Sequence, residues 1–265
     1  MSNSETDQAL IVALVQTDLY WENSTANLSS LEEKIATIDG PIDLLVLPEM
    51  FNSGFTMNHA SAEPMNLTTT KWMKQIAAQT QSMVVGSFAV KENGKCFNRV
   101  CCVQPDGSVL FSDKRHLFRM GEEQSHYSPG NARLTVVWKG WRICPLICYD
   151  LRFPVWSRNT PNNFYDLLIY VANWPSSRAH AWNTLLAARA IENQAFVAGV
   201  NRVGRDGNGI EHQGESVLID FLGEPLLSLG KSESIKTIRI SKNDLETYRQ
   251  SFPAYLDADD FYLKL

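Results

Sequence analysis

The sequence predicts an α/β fold, on three observations. Runs such as Ala9–Val15 and Asp166–Asn173 have strand length and are apolar without alternation, as strands buried on both faces are. Segments with apolar residues at helical spacing separate them in both halves of the chain. Two turn signals, Pro105-Asp106-Gly107 and Lys139-Gly140, mark hairpins between other strands. The 265 residues carry no linker, low-complexity stretch or short repeat. One domain over residues 1–265 is therefore expected, with its core at about 10–242. Pattern alone leaves open whether it forms a mixed sheet or two packed sheets.

In chain order, Ala9–Val15 is the first strand. Asn23 or Ser24 can cap a helix whose apolar positions are Leu28, Leu31, Ile35 and Ile38. A strand from Ile42 runs to Pro48-Glu49. Thr68–Thr80 reads as a helix with Trp72, Ile76 and Ala77 on one side. Met83–Val90 is a strand. Val100–Val103 and Ser108–Phe111 flank the first hairpin turn, and Thr135–Trp138 and Trp141–Cys144 the second. Asp166–Asn173 is a strand and Trp182–Asn193 a helix. Phe196–Val200, Ser216–Asp220, Pro225–Ser228 and Thr237–Ile240 complete the strands, and Asn243–Arg249 closes the core as a short helix. The tail, 243–265, places Phe252, Tyr255, Phe261 and Tyr262 in a polar setting, which suits a contact with a second copy.

Composition narrows the function. A net charge of -5 without a basic cluster argues against nucleic acid and against a membrane surface. The start is polar and acidic, unlike a signal peptide, and no apolar run would span a bilayer, so a cytoplasmic location is expected. Five cysteines in a reducing compartment predict no disulfides. Cys144 and Cys148 on one strand would lie ~13 Å apart, too far to bridge. Without a Cys-x-x-Cys pair a zinc site is not expected. Cys96, Cys101, Cys102 and Cys144 read as core filler.

Cys148 differs. It stands where the strand Arg142-Ile-Cys-Pro-Leu-Ile gives out and Tyr149-Asp-Leu-Arg-Phe-Pro turns away. At such a turn a thiol can stand clear of the sheet beside a backbone N–H, and a helix dipole there would favour its thiolate. Two other strands end in a charge: Glu49, a base if buried, and Lys114 in Asp-Lys-Arg-His. A nucleophile, a base and a cation at strand ends are the equipment of acyl transfer. A cysteine–histidine pair is the rival scheme. His116, near Lys114, is its best candidate, while His59, His126, His180 and His212 fall in polar loops or at helix starts.

Glu49 in Leu-Pro-Glu-Met-Phe, Lys114 in Asp-Lys-Arg-His-Leu-Phe and Cys148 in Ile-Cys-Tyr-Asp-Leu-Arg-Phe-Pro resemble the Glu-Lys-Cys triad of the nitrilase, or carbon–nitrogen hydrolase, superfamily. Arg189-Ala-Ile-Glu-Asn-Gln and Val200-Asn-Arg-Val-Gly match further blocks, so the likeness runs from about Leu10 to the C-terminus. It implies a four-layer α-β-β-α sandwich that forms a homodimer. Within the superfamily the chain most resembles the bacterial omega-amidases, through Asp113–Glu123, the Cys148 block and Tyr170-Val-Ala-Asn-Trp-Pro. That implies hydrolysis of the terminal amide of 2-oxoglutaramate or 2-oxosuccinamate through a cysteine thioester, without cofactor or metal. By position, Glu49 is the base, Lys114 the transition-state cation, Cys148 the nucleophile and the Tyr149 N–H an oxyanion donor. Glu123 is the second glutamate, although Glu122 beside it leaves the register open. Arg152 would hold the substrate carboxylate. A carbamoyl-amino-acid amidohydrolase, a nitrilase, or a non-catalytic binding protein of the same fold stay open on these residues.

Overall fold

The computed structural model describes residues 8–160, 164–259, 261 and 263. The N-terminal residues 1–7 and Tyr262, both used above, lie outside the described residues. In chain order the elements are β1 (Ala9–Gln16), α1 (Ser24–Ile35), β2 (Leu44–Val46), α2 (Thr68–Thr80), β3 (Met83–Glu92), β4 (Lys95–Val103) and β5 (Val109–Asp113). Then come α3 (Glu123–His126), β6 (Val136–Trp138), β7 (Trp141–Ile147), α4 (Pro154–Ser157), β8 (Leu167–Ala172), α5 (Ala179–Asn193) and β9 (Phe196–Asn201). The chain continues through β10 (Val203–Arg205), β11 (Glu211–Gln213), β12 (Val217–Ile219), β13 (Pro225–Ser228), β14 (Ser234–Ser241) and α6 (Lys242–Ser251).

Two packed sheets form, and each is mixed. One has the order β14-β1-β2-β3-β4-β5, the other β13-β12-β9-β8-β7-β6. In the first, β1, β2 and β3 are parallel; in the second, β7, β8 and β9 are. Antiparallel strands flank both parallel sets, and the two hairpins fall where their turn residues require.

The unbroken apolar runs have a direct cause. Along β1, Leu10, Val12 and Leu14 share a buried cluster with Ile143, Ile169, Ala198 and Val200 of the second sheet. The alternate residues Ala13 and Val15 pack instead with Leu28 and Leu31 of α1 and Trp72 and Ile76 of α2. On the far side α5 lies close against β9: a Cβ at Gly199 would stand 2.5 Å from Leu186 Cδ1. Helices, sheet, sheet and helix therefore make four layers.

Three differences from the sequence reading have physical reasons. Asn23 is the cap, its side chain accepting from Ala26 N, but α1 ends at Ile35, so Ile38 packs from the following turn. The strand around Leu44 is only three residues long, because Pro48 has no N–H to extend the ladder. The β10–β11 hairpin was not foreseen. Its sequence is rich in glycine and charge, and only backbone pairing makes it a strand pair.

Leu14→Ala should cost about 3 kcal/mol of unfolding free energy, since Leu14 is wholly buried between the sheets. A urea titration checks this through a lower midpoint at unchanged slope.

Candidate active site

Three strand ends converge. After β2, Leu47 N still bonds Val85 O at 2.8 Å. Pro48 then ends the ladder and Met50 turns at φ 43°. Ser87 holds that turn through Oγ on Met50 N (3.0 Å), and Asn173 Nδ2 donates to the Glu49 carbonyl. After β5, Lys114 N donates to Asn98 O and Gly130 N donates to Lys114 O, each at 2.8 Å. Gly130 runs so close that a Cβ would lie 2.2 Å from Asp113 O. After β7, Cys148 takes φ 41° and opens a 3₁₀ turn, Cys148–Arg152. A positive φ on a non-glycine residue is strained and persists only where its surroundings enforce it. Here the buried Asp150 carboxylate accepts from Ile147 N (3.2 Å), His116 N (2.9 Å) and His116 Nδ1 (2.8 Å). Arg189 Nη2 donates to Leu151 O at 2.7 Å from the other side.

Glu49, Lys114, Glu123 and Cys148 are all buried. Lys114 Nζ lies 2.8 Å from Glu49 Oε1 and 3.0 Å from Glu123 Oε2. Asn98 Nδ2 donates to Glu49 Oε1 at 2.8 Å, and Asn173 N donates to Glu49 Oε2 at 2.9 Å. Phe118 N donates to Glu123 Oε2 at 2.6 Å. Of the two adjacent glutamates, Glu123 points inward to Lys114, whereas Glu122 is exposed at φ 57°. Burial alone would strip Lys114 of its proton, but the charges of Glu123 and Glu49 outweigh it and hold the ammonium above the ordinary lysine range. Burial pushes the Glu123 carboxyl up, with Lys114 pulling the other way.

The expected thiolate at Cys148 does not stand. Burial, followed by the charge of Glu49, holds the thiol well above its ordinary range; Lys114 offsets this only in part. A five-residue 3₁₀ turn offers too little dipole to reverse that.

The trio borders a cavity of about 120 Å³. Glu49, Lys114, Cys148, Tyr149, Arg152 and Asn173 line it, so all the sequence-predicted residues reach it except Glu123, which stands behind Lys114. The Arg152 guanidinium lies 4.9 Å from the Trp174 ring centre. Phe55 supports the Lys114 ammonium at 4.9 Å. Arg178, Asp206 and His212 also line it, and sequence reasoning missed them along with Asn98. Asn98 sits in the middle of β4, ahead of the Val100–Val103 run that the sequence marks as strand, so pattern gave it no signal.

His116 is not a base for the thiol. It stacks on Phe153 at 3.7 Å and serves Asp150. His212 corrects the polar-loop reading: it lies on β11, 4% exposed, on the cavity wall. Among the described residues no histidine bonds Cys148. The five cysteines are free and buried, and among the described residues no group of three potential ligands is placed to hold a metal ion.

The carbon-nitrogen hydrolase family profile matches residues 11–250. Omega-amidase YafV of Escherichia coli strain K12 is 48% identical over 255 residues, covering 96% of this chain and 98% of that protein. The 2-oxoglutaramate amidase of Bacillus subtilis strain 168 is 31% identical over 250 residues, covering 93% and 96%. Among solved structures, XC1258 from Xanthomonas campestris is described as a CN-hydrolase superfamily protein with an arsenic adduct in the active site. It superposes with a TM-score of 0.94 at 45% identity, covering 97% of this chain and 99% of that one. Nit3 of Saccharomyces cerevisiae, from the nitrilase superfamily, gives 0.83 at 25% identity, covering 95% and 97%.

Burial, then the charge of Arg202, lowers His212 from 6.5 to about 4 in the folded chain. As pH falls between those values the unfolded chain gains a proton that the folded one refuses. Stability from the neutral ring is thus complete above the higher value and lost towards the lower. His212→Gln should remove this contribution. Wild type minus variant, the unfolding free energy should fall by about 3 kcal/mol across the window, read from urea titrations at stepped pH.

Proposed function

The chain belongs to the carbon–nitrogen hydrolase family, and on that footing we propose that it is an omega-amidase, releasing ammonia from the terminal amide of 2-oxoglutaramate or 2-oxosuccinamate. One observation carries the reading. A buried thiol, a carboxylate and an ammonium, the last two 2.8 Å apart, border one small cavity that also holds an arginine able to meet a carboxylate. The names of the relatives favour the same substrate class.

In the proposed cycle Glu49 takes the proton of Cys148 as the sulfur attacks the amide carbon. Burial and Glu49 raise the pKa of the thiol, which favours proton transfer and attack as one event. The tetrahedral oxyanion is held by the Lys114 ammonium and the Tyr149 backbone N–H, one such donor being worth roughly 3 kcal/mol of barrier. Glu49 passes its proton to the nitrogen, the C–N bond breaks and ammonia leaves a thioester. Glu49 then deprotonates a water that attacks the thioester. The carboxylic acid departs, and the thiol regains its proton. Glu123 does not border the cavity, so we assign it the positioning and charging of Lys114 rather than contact with substrate. Arg152 receives the carboxylate at the other end, where a planar guanidinium suits two oxygens better than an ammonium.

We further propose that two copies pair through the C-terminal segment, where Phe252 and Leu256 stand 57% and 69% exposed. A cytoplasmic setting fits five unpaired cysteines. Among the described residues no helix is long and apolar enough to cross a membrane.

Ammonia release across a panel tests the reading. 2-Oxoglutaramate and 2-oxosuccinamate should exceed glutamine, a carbamoyl amino acid and a nitrile in kcat/KM; preference for either of the last two would replace it. Cys148→Ala should lose turnover and show no mass increase of an acyl group after mixing with substrate. An acyl adduct on that variant would remove the nucleophile from Cys148. Arg152→Lys should raise KM about tenfold for the oxo-acid amide and far less for a neutral amide. Equal rises would take carboxylate binding away from Arg152.

A further inference from the structure

Among the described residues the four buried arginines, Arg99, Arg189, Arg202 and Arg249, are each matched by an anion of the protein itself, whereas Arg152 and Arg178 are half-buried. Arg99 meets Asp113 at 2.7 Å, Arg249 meets Asp166 at 2.9 Å and Arg202 meets Asp18. Arg189 meets Glu192 at 3.1 Å and the Leu151 carbonyl at 2.7 Å. The two arginines on the cavity wall are different. Among the described residues, neither Arg152 nor Arg178 forms an ion pair. Arg178 Nη2 lies 3.3 Å from Met120 Sδ, a neutral and weak acceptor, and its guanidinium carbon lies 5.5 Å from the Phe118 ring centre. Asp206 lines the same cavity, but Asn208 N and Ile210 N both donate to its Oδ1 at 2.9 Å.

Trp174 contacts both residues, the side chain of Arg152 and the backbone of Arg178. The Trp174 ring carries the Arg152 guanidinium at 4.9 Å, and its Nε1 donates to the Arg178 carbonyl at 2.8 Å. Trp174 is itself pinned: its N donates to Asn201 Oδ1 at 2.7 Å, its carbonyl accepts from Asn201 Nδ2 at 3.1 Å, and its ring packs on Trp182. The fixed Trp174 thus touches two residues whose cationic side chains line one cavity. Two cationic side chains that line one cavity without an ion-pair partner are open to the negative charge of a ligand.

We propose that Arg178 is a specificity-determining residue: with Arg152 it forms a two-armed clamp, built on Trp174, that holds the carboxylate of the substrate. The inference rests on the omega-amidase reading and adds to it a residue and a geometry. Each guanidinium takes one side of the carboxylate by charge-assisted hydrogen bonds. The clamp selects amides that carry a carboxylate over neutral amides of equal length.

The experiment compares kcat/KM for 2-oxoglutaramate and for pentanamide, a neutral amide of the same chain length, in wild type, Arg178→Met, Arg178→Lys, Arg152→Met and the Arg152→Met/Arg178→Met double variant. Arg178→Met should reduce the preference for 2-oxoglutaramate by about 10- to 100-fold, chiefly through KM, and Arg178→Lys should restore part of it. Because both arms share one carboxylate, the double variant should lose less than the product of the single losses. An equal fall on both substrates would make Arg178 a prop for Met120 and Phe118 and overturn the inference. So would strictly multiplicative losses. The parent reading fails separately: wild type would then show no preference for 2-oxoglutaramate at all.

Discussion

An ammonium buried between two carboxylates is the contact on which the rest of this structure depends. Lys114 is 1% exposed in its side chain and lies within 3.0 Å of an oxygen from each of Glu49 and Glu123. A lone charge at that depth would cost several kcal/mol. The three groups are therefore stable there only together, and they come from distant parts of the chain. Their meeting requires that the ends of β2 and β5 and the head of α3 lie side by side. Cys148 joins them only because the second sheet packs on the first.

The charge balance of that cluster sets the state of the nucleophile. With one ammonium and two carboxyl groups already in place, ionising the thiol would add a further negative charge to a buried site. Burial and Glu49 accordingly push the pKa of the Cys148 thiol up. Glu123 supplies the counter-charge that leaves Glu49 free for proton transfer in the proposed cycle. The site thus resembles a matched acid–base pair more than a preformed thiolate. Its reactivity would rise when a substrate replaces the last water and offers an electrophilic carbon.

Rigidity around the cavity is made from ordinary parts. The strained φ of Cys148 is held by Asp150 on one side and Arg189 on the other. Asn98 and Asn173 fix both oxygens of Glu49. Trp174, which also lines the cavity, is locked by Asn201. These contacts cross between elements that are remote in sequence. A small change in sheet packing would therefore reach several site residues at once.

Much of this was legible from the chain itself. Continuous apolar runs on both sides of helical segments determined a layered α/β fold, since a strand with a wet face would alternate. Pro105-Asp106-Gly107 and Lys139-Gly140 determined two hairpins, because their backbone preferences are local. Charged or thiol-bearing residues after apolar runs marked Glu49, Lys114 and Cys148, because a strand that ends in a reactive group has little other use for it. What the chain could not express was anything set by approach through space. The role of Asn98 comes from a carboxylate 49 positions away. The places of Arg178 and His212 come from a tryptophan and a hairpin whose own residues read as loop. The ionisation of Cys148 was misread for the same reason: a turn dipole is local and visible, whereas burial and the field of Glu49 exist only once two sheets have closed over them. Local preference and periodicity are written residue by residue, but desolvation and charge pairing are properties of the packed interior, and tertiary structure alone decides them.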